Sequence, residues 1–117
     1  NQIKNALLSY TDTIQADVVL TTGGTGLGPR DVTPEAAQEV IERQVPGFSE
    51  YIRIRGLEKT PHSILSRGIS GIRKNTLIIN LPGSPNAVKQ ILPSLLDVIS
   101  HAITMLHGGG HNESTQS

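Results

Sequence analysis

The chain has 117 residues, ten Lys and Arg against ten Asp and Glu, and no Cys. That length predicts one domain with one core. The zero net charge argues against a general nucleic-acid or membrane-surface binder, and the absent thiols exclude disulfide scaffolds, thiolate zinc sites and cysteine nucleophiles.

Ile3, Leu7, Tyr10 and Ile14 recur at helical spacing, which predicts an amphipathic helix over 2–12. The chain thus opens at Asn1 with a helix in progress and reads as a piece of a longer protein. ADVVLTT, Ala16 to Thr22, is rich in β-branched residues without polar alternation and predicts a strand buried on both faces. A glycine-rich loop, GGTGLGPRD, follows. Thr33-Pro34 opens the next helix, with Thr as N-cap, Pro at the first helical position and Glu35 in the first turn. Pro46-Gly47 is expected to end it. Phe48, Tyr51 and Ile52 predict a second short helix, and Thr60-Pro61 repeats the cap signal before His62–Arg67. GISGIR and TLIINL, separated by Lys74-Asn75, predict a hairpin. LPGSPNAV is another strand-to-helix turn, before a helical region from about 86 to 106. Pro93 inside it predicts a kink or two abutting helices. The domain is expected over 1–107, with 108–117 as a disordered tail. With only Tyr10, Phe48 and Tyr51 as aromatics, the core must be aliphatic. Helices alternating with buried strands give the fold class: an α/β three-layer sandwich, its sheet mostly parallel with one antiparallel hairpin strand and helices on both faces.

The sharpest chemical feature is TTGGTGLGPRD placed directly after a strand. Glycines let backbone N–H groups approach an anion closely, and ligands of open α/β sheets lie at the carboxyl ends of strands. No Lys-Ser/Thr follows, so the loop is not a P-loop, and Pro29 breaks the dinucleotide fingerprint. Asp31 beside an anion-binding loop suits Mg²⁺ held by one carboxylate and substrate phosphates; a helix-start carboxylate is the plain alternative. In the second loop Ser84 or a neighbour caps the helix before Pro85. The two loops are placed to face each other across one cleft, with Ser66-Arg67 offering a hydroxyl and a guanidinium to phosphate. His107 and His111, separated by three glycines, fit a tail better than a metal site.

TTGGTGLGPRDVTPEA, IERQVPGF, SRGISGIR and TLIINLPGSPNAV together closely resemble the molybdopterin-binding domain family of molybdenum-cofactor biosynthesis. Its members include bacterial MogA and MoaB proteins and the G domains of plant Cnx1 and of gephyrin. The resemblance runs from about Ala16 to Leu106. It implies a cytoplasmic homotrimer that transfers AMP from Mg-ATP to molybdopterin. The activated product then serves a molybdate-inserting domain or protein. Gly23, Gly24, Thr25 and Gly26 would meet phosphate through backbone groups. Asp31 matches the family's essential aspartate, acting with Mg²⁺ as catalytic and metal residue. Ser66, Arg67, Pro82, Gly83 and Ser84 fall in segments lining the same cleft. The family also carries a first strand and helix and a second aspartate in a Pro-Asp-Asp/Glu segment, expected ahead of Asn1, so part of the site is expected to lie outside the given sequence. The alternative function is a non-catalytic molybdopterin-binding or scaffold module of the same fold.

Overall fold

The computed structural model describes residues 1–108, and the strand with the least polar sequence organises them. Thr76–Leu81 (β4) is buried at all six positions, as a strand covered on both faces must be. Val18–Thr22 (β1) pairs with it in parallel, with Thr22 beside Leu81. Ser70–Arg73 (β3) pairs on its other side through a two-residue turn, as an antiparallel hairpin. Arg43–Gln44 (β2) lies antiparallel beyond β3, giving the order β1-β4-β3-β2. Three strands thus point one way and β3 alone opposes them, the single reversed strand expected from the sequence. Because β3 sits between two of the others, two of the three pairings are nevertheless antiparallel.

Alternation along β4 assigns its side chains to two layers. Leu77, Ile79 and Leu81 pack against Phe48 and Ile52 of Pro46–Leu57 (α3) and against Ile91, Leu95 and Ile99 of Pro85–Leu106 (α4). Ile78 faces the opposite side, where Leu7 of Gln2–Leu8 (α1) and Ala37 and Val40 of Thr33–Val40 (α2) meet it. The result is the three-layer α/β sandwich, with Phe48 the one aromatic in its buried core.

Several local expectations are corrected. Among the described residues β1 lies at the end of the strand order, with Leu20 36% exposed and none of Val18–Thr22 fully buried, rather than covered on both faces. Pro46 does not end α2 but begins α3, because α2 stops at Val40 and β2 intervenes. Proline suits a first helical turn as well as a helix exit. Pro93 divides nothing, since α4 runs uninterrupted for 22 residues. Thr33 is the first residue of α2 rather than its cap, and Val32 occupies the cap position without a side-chain hydrogen bond. The Ile3–Ile14 stripe fails beyond Leu7. Ser9–Thr13 winds as a π-turn, which rotates the helical phase and buries Thr11 while Tyr10 and Ile14 stay exposed.

That π-turn presents Asp12 to Arg73 in a two-point ion pair of 2.9 Å contacts, joined by Lys74 at 3.6 Å. The Arg73 guanidinium, helped by the Thr11 hydroxyl, holds the Asp12 carboxyl well below the usual carboxylate range. A carboxyl whose folded-state pKa is depressed contributes stability above its unfolded value, about 3.9, and loses it as pH falls through the folded value. Asp12→Asn is therefore expected to lower Tm at pH 7. The gap from the parent should persist down to about pH 4 and close only in stronger acid. Circular-dichroism melts across that range check it; a gap unchanged in strong acid would assign the loss to packing instead.

Candidate functional site

The parallel pairing of β1 with β4 brings the two strand-to-helix loops together, as the sequence suggests. Gly23 N–H donates to Leu81 O at 3.1 Å. A Cβ added to Gly83 would lie 3.3 Å from Gly23 Cα, so the loops touch backbone to backbone. Gly23 and Gly24 have φ of +84° and +70°, a region L side chains rarely adopt. At Gly24 a Cβ would also overlap Thr33 Oγ1, while Thr33 N–H donates to Gly24 O at 3.1 Å. Gly26 and Gly28 are small for a different reason. Cβ atoms there would stand 2.9 and 3.0 Å from Asp31 Oδ2, so these glycines make the slot in which that carboxylate sits. Thr25, between Gly24 and Gly26, is buried.

Asp31 does not cap α2. Its carboxylate turns back into the loop, where Oδ2 accepts from Gly28 N–H at 3.0 Å, and among the described residues Oδ1 accepts no hydrogen bond. No group of three or more metal-ligating side chains exists among the described residues, so a cation at Asp31 would complete its shell with substrate phosphates. Mg²⁺ commonly binds that way, and the donor set fits it.

Ser66 and Arg67 lie where the sequence places them, beside the loop, but the guanidinium has other partners than phosphate. Arg67 N–H donates to Thr25 O at 2.8 Å. Its Nε donates to Gly26 O at 2.8 Å, and Nη2 donates to Asp31 O. Nη1 donates to the Glu35 carboxylate. The Arg67 guanidinium and a backbone N–H pull the Glu35 carboxyl below its ordinary pKa, and Arg67 is raised in turn by Glu35. Ser66 Oγ accepts from Gly68 N–H at 3.3 Å.

Next to this loop a cleft of about 680 Å³ opens between α3, the 3₁₀ turn Pro61–Leu65 and the start of α4. Among the expected site residues, Gly26, Ser66, Pro82 and Ser84 line it, while Gly23, Gly24, Thr25, Asp31, Arg67 and Gly83 form the adjoining loop pair. Ser84 also caps α4, its Oγ accepting from Ala87 N–H at 3.3 Å. Arg53, Arg55, Lys59, His62 and Lys89 contribute to the lining, and among the described residues no carboxylate does. These basic residues were missed in the sequence because they are scattered over three elements at no recognisable spacing. Two of them are held in place. Arg53 Nη1 donates to the carbonyls of Ser66 and Gly68 at 3.2 and 3.0 Å. Arg55 lies 5.7 Å from the Tyr51 ring centroid and donates to Tyr51 Oη at 2.7 Å. Tyr51 in turn donates to Ser94 Oγ at 2.8 Å, and the two partners lower its hydroxyl pKa. Arg55 Nε is the one buried side-chain polar atom without a hydrogen bond among the described residues; Glu58 Oε1 is 3.4 Å away without the required geometry. A concave site of this size suits a small-molecule ligand, and its cations suit an anionic one.

His101 and His107 lie outside the cleft lining. His107 pairs with Asp17 at 3.1 Å at the far end of β1, and His111, with most of the expected tail, lies outside the described residues.

Residues 1–101 match the family described as "Probable molybdopterin binding domain". The chain is 42% identical over 106 residues to the molybdopterin adenylyltransferase of Helicobacter pylori, covering 91% of this chain and 60% of that protein. It is 43% identical over 104 residues to the molybdenum cofactor synthesis protein cinnamon of Drosophila melanogaster, covering 89% of this chain and 17% of that one. The structure of the molybdopterin biosynthesis enzyme MoaB from Thermus thermophilus superposes with a TM-score of 0.83 at 48% identity, over 92% of this chain and 67% of that one. The chain thus spans about 60% of one curated relative and a sixth of the other. With the family model matched over residues 1–101 and the fold shared with MoaB, the chain belongs to the molybdopterin-binding domain family of molybdenum-cofactor biosynthesis.

Proposed function

We propose that the protein is a molybdopterin adenylyltransferase, moving AMP from Mg-ATP to molybdopterin with release of pyrophosphate. The observation that carries this reading is the contact between the two glycine-bearing strand ends, with the Asp31 carboxylate on one side and the cationic cleft on the other. Adenylyl transfer asks a protein for alignment and charge neutralisation more than for covalent help. The backbone N–H groups of 24–26 would supply donors for phosphate, that of Gly23 being engaged by Leu81 O, and Asp31 would hold Mg²⁺. Bound there, Mg²⁺ would neutralise phosphate charge. Arg53, Arg55, Lys59 and Lys89 would draw a second anionic substrate into the cleft, where Ile52, Leu65 and Ile91 offer apolar surface to its ring system.

Incubating the full-length protein with molybdopterin and Mg-ATP tests the reading. Adenylylated molybdopterin and pyrophosphate, both dependent on Mg²⁺, are the expected products by chromatography. Tight molybdopterin binding without product would make the protein a non-catalytic binding or scaffold module instead. Lys89 is exposed at the cleft. Lys89→Ala should raise KM for the anionic substrate by about two- to fivefold, the range of one solvent-exposed charge pair, with kcat little changed. Steady-state kinetics at low and high salt check this, and the difference should shrink at high salt.

The same reading makes the protein a cytoplasmic homotrimer that hands its product to a molybdate-inserting domain or protein. Leu96, Val98 and Met105, all exposed along α4, supply apolar surface for self-association, and no helix among the described residues is long and apolar enough to cross a membrane. Light scattering that returned a monomer mass would remove the trimer.

A further inference from the structure

We propose that Arg67 acts as a positioning residue, clasped to Glu35, that fixes the glycine loop around Asp31 and does not itself bind phosphate. The proposal rests on the adenylyltransferase reading for its kinetic consequence, but its structural content stands on the contacts alone.

A guanidinium has five N–H donors. In Arg67, Nε–H goes to Gly26 O, and the Nη2 donors go to Asp31 O and, more weakly, to Glu35 Oε1 at 3.4 Å. One Nη1 donor goes to Glu35 Oε2. One N–H is left, and it lies next to a carboxylate that would repel an incoming phosphate. The group therefore has little capacity for an anion and a full set of contacts to the loop. Those contacts are spread over its length: residue 25 through the Arg67 backbone, residues 26 and 31 through the guanidinium, and Glu35 one turn into α2.

Little else ties the far part of the loop down. The other hydrogen bonds within 26–31 run between Gly28 and Asp31, inside the loop itself. Arg67 is thus the tie between the loop and the end of the 3₁₀ turn, whose Ser63 and Leu65 line the cleft with the following Ser66. By gripping Gly26 and Asp31 at once it sets the distance between the N–H groups of 24–26 and the Asp31 carboxylate. It also links both to the cleft wall. Lysine, a single-point donor on a flexible stem, cannot reproduce this fork.

Three variants of the full-length protein test the clasp: Arg67→Lys, Arg67→Ala and Glu35→Gln. Arg67→Lys is expected to lower kcat about 10- to 100-fold, the scale of a small misplacement of reacting groups. KM for Mg-ATP and its calorimetric Kd should change by less than about twofold, since no ground-state contact is lost. Glu35→Gln should act in the same direction and more weakly. Hydrogen–deuterium exchange should rise over 23–31 in all three variants while β4 amides keep the parental protection. A phosphate-binding Arg67 would give the opposite split, a weakened Kd with kcat preserved, and that overturns the proposal. So does a Glu35→Gln variant without effect on kinetics or exchange, or a rise in exchange that extends to β4, which would make Arg67 a general scaffold residue. If the parent shows no adenylyl transfer, exchange and nucleotide affinity still decide: an unchanged 23–31 segment in Arg67→Ala overturns the clasp, and a selectively loosened one supports it.

Discussion

Asp31→Asn is expected to cut adenylyl transfer by at least about a hundredfold, the scale of losing one preorganised electrostatic contact with the transition state, while leaving the fold intact. The substitution keeps the shape of the side chain and an oxygen that can accept from Gly28 N–H, the bond Asp31 Oδ2 makes at 3.0 Å. It removes the negative charge. The slot between Gly26 and Gly28 stays filled, so the loop has no reason to collapse. Asp31→Ala differs in kind: it empties the slot, breaks the Gly28 bond and removes the charge together. Comparing the two separates a scaffolding aspartate from a charged one. If the charge matters through Mg²⁺, Asp31→Asn should abolish the dependence of nucleotide affinity on Mg²⁺ in calorimetry as well as turnover, with Tm unchanged. If the aspartate merely shapes the loop, Asn should retain most activity and Ala should lose it. Undiminished turnover in both variants would take Asp31 out of the mechanism.

The fold was legible where its signals were local. TLIINL announces a strand, Lys74-Asn75 a tight turn, and Ser84-Pro85 a helix start. Each of these rests on neighbouring residues, and each is found as expected. The errors arose where one local signal has two readings. Proline at 46 fits a helix exit and a helix entry equally, and the run VVLTT reads the same whether or not both of its faces are covered. The π-turn at Ser9–Thr13 leaves no composition signature, so the apolar stripe was followed past the point where the phase turns. The site was legible to the same extent. The glycine loop, Asp31 and the LPGS turn are contiguous motifs. Arg67 was also noticed, but its role depends on partners 32 to 41 residues away, and no spacing rule connects them. The cleft cations have no sequence signature for the same reason: only folding collects Arg53, Lys59 and Lys89 around one cleft.

Of the loop glycines, Gly24 should be the costliest to replace. Gly24→Ala forces an L side chain into φ near +70°, which costs roughly 1–2 kcal/mol. It also drives a Cβ into the Thr33 side chain, buried at the first position of α2. Overpacking of that kind adds about 1–3 kcal/mol, for a total of roughly 2–5 kcal/mol. In a domain of this size each kcal/mol lowers Tm by about 4–8 °C. Relief by moving the loop away from α2 separates Gly24 O from Thr33 N–H and shifts the donors of 24–26. Activity should therefore fall even at temperatures where the variant is fully folded. The double variant Gly24→Ala/Thr33→Ala divides the two causes. Removing Oγ1 relieves the clash but not the backbone strain, so about half of the lost stability should return. Full recovery would mean that the left-handed conformation costs nothing here, and no recovery would place the whole effect in φ. Gly23, where a Cβ would meet only Gly83 Cα at 3.8 Å, provides the control: Gly23→Ala carries the φ penalty alone and should fall between the parent and Gly24→Ala in thermal melts.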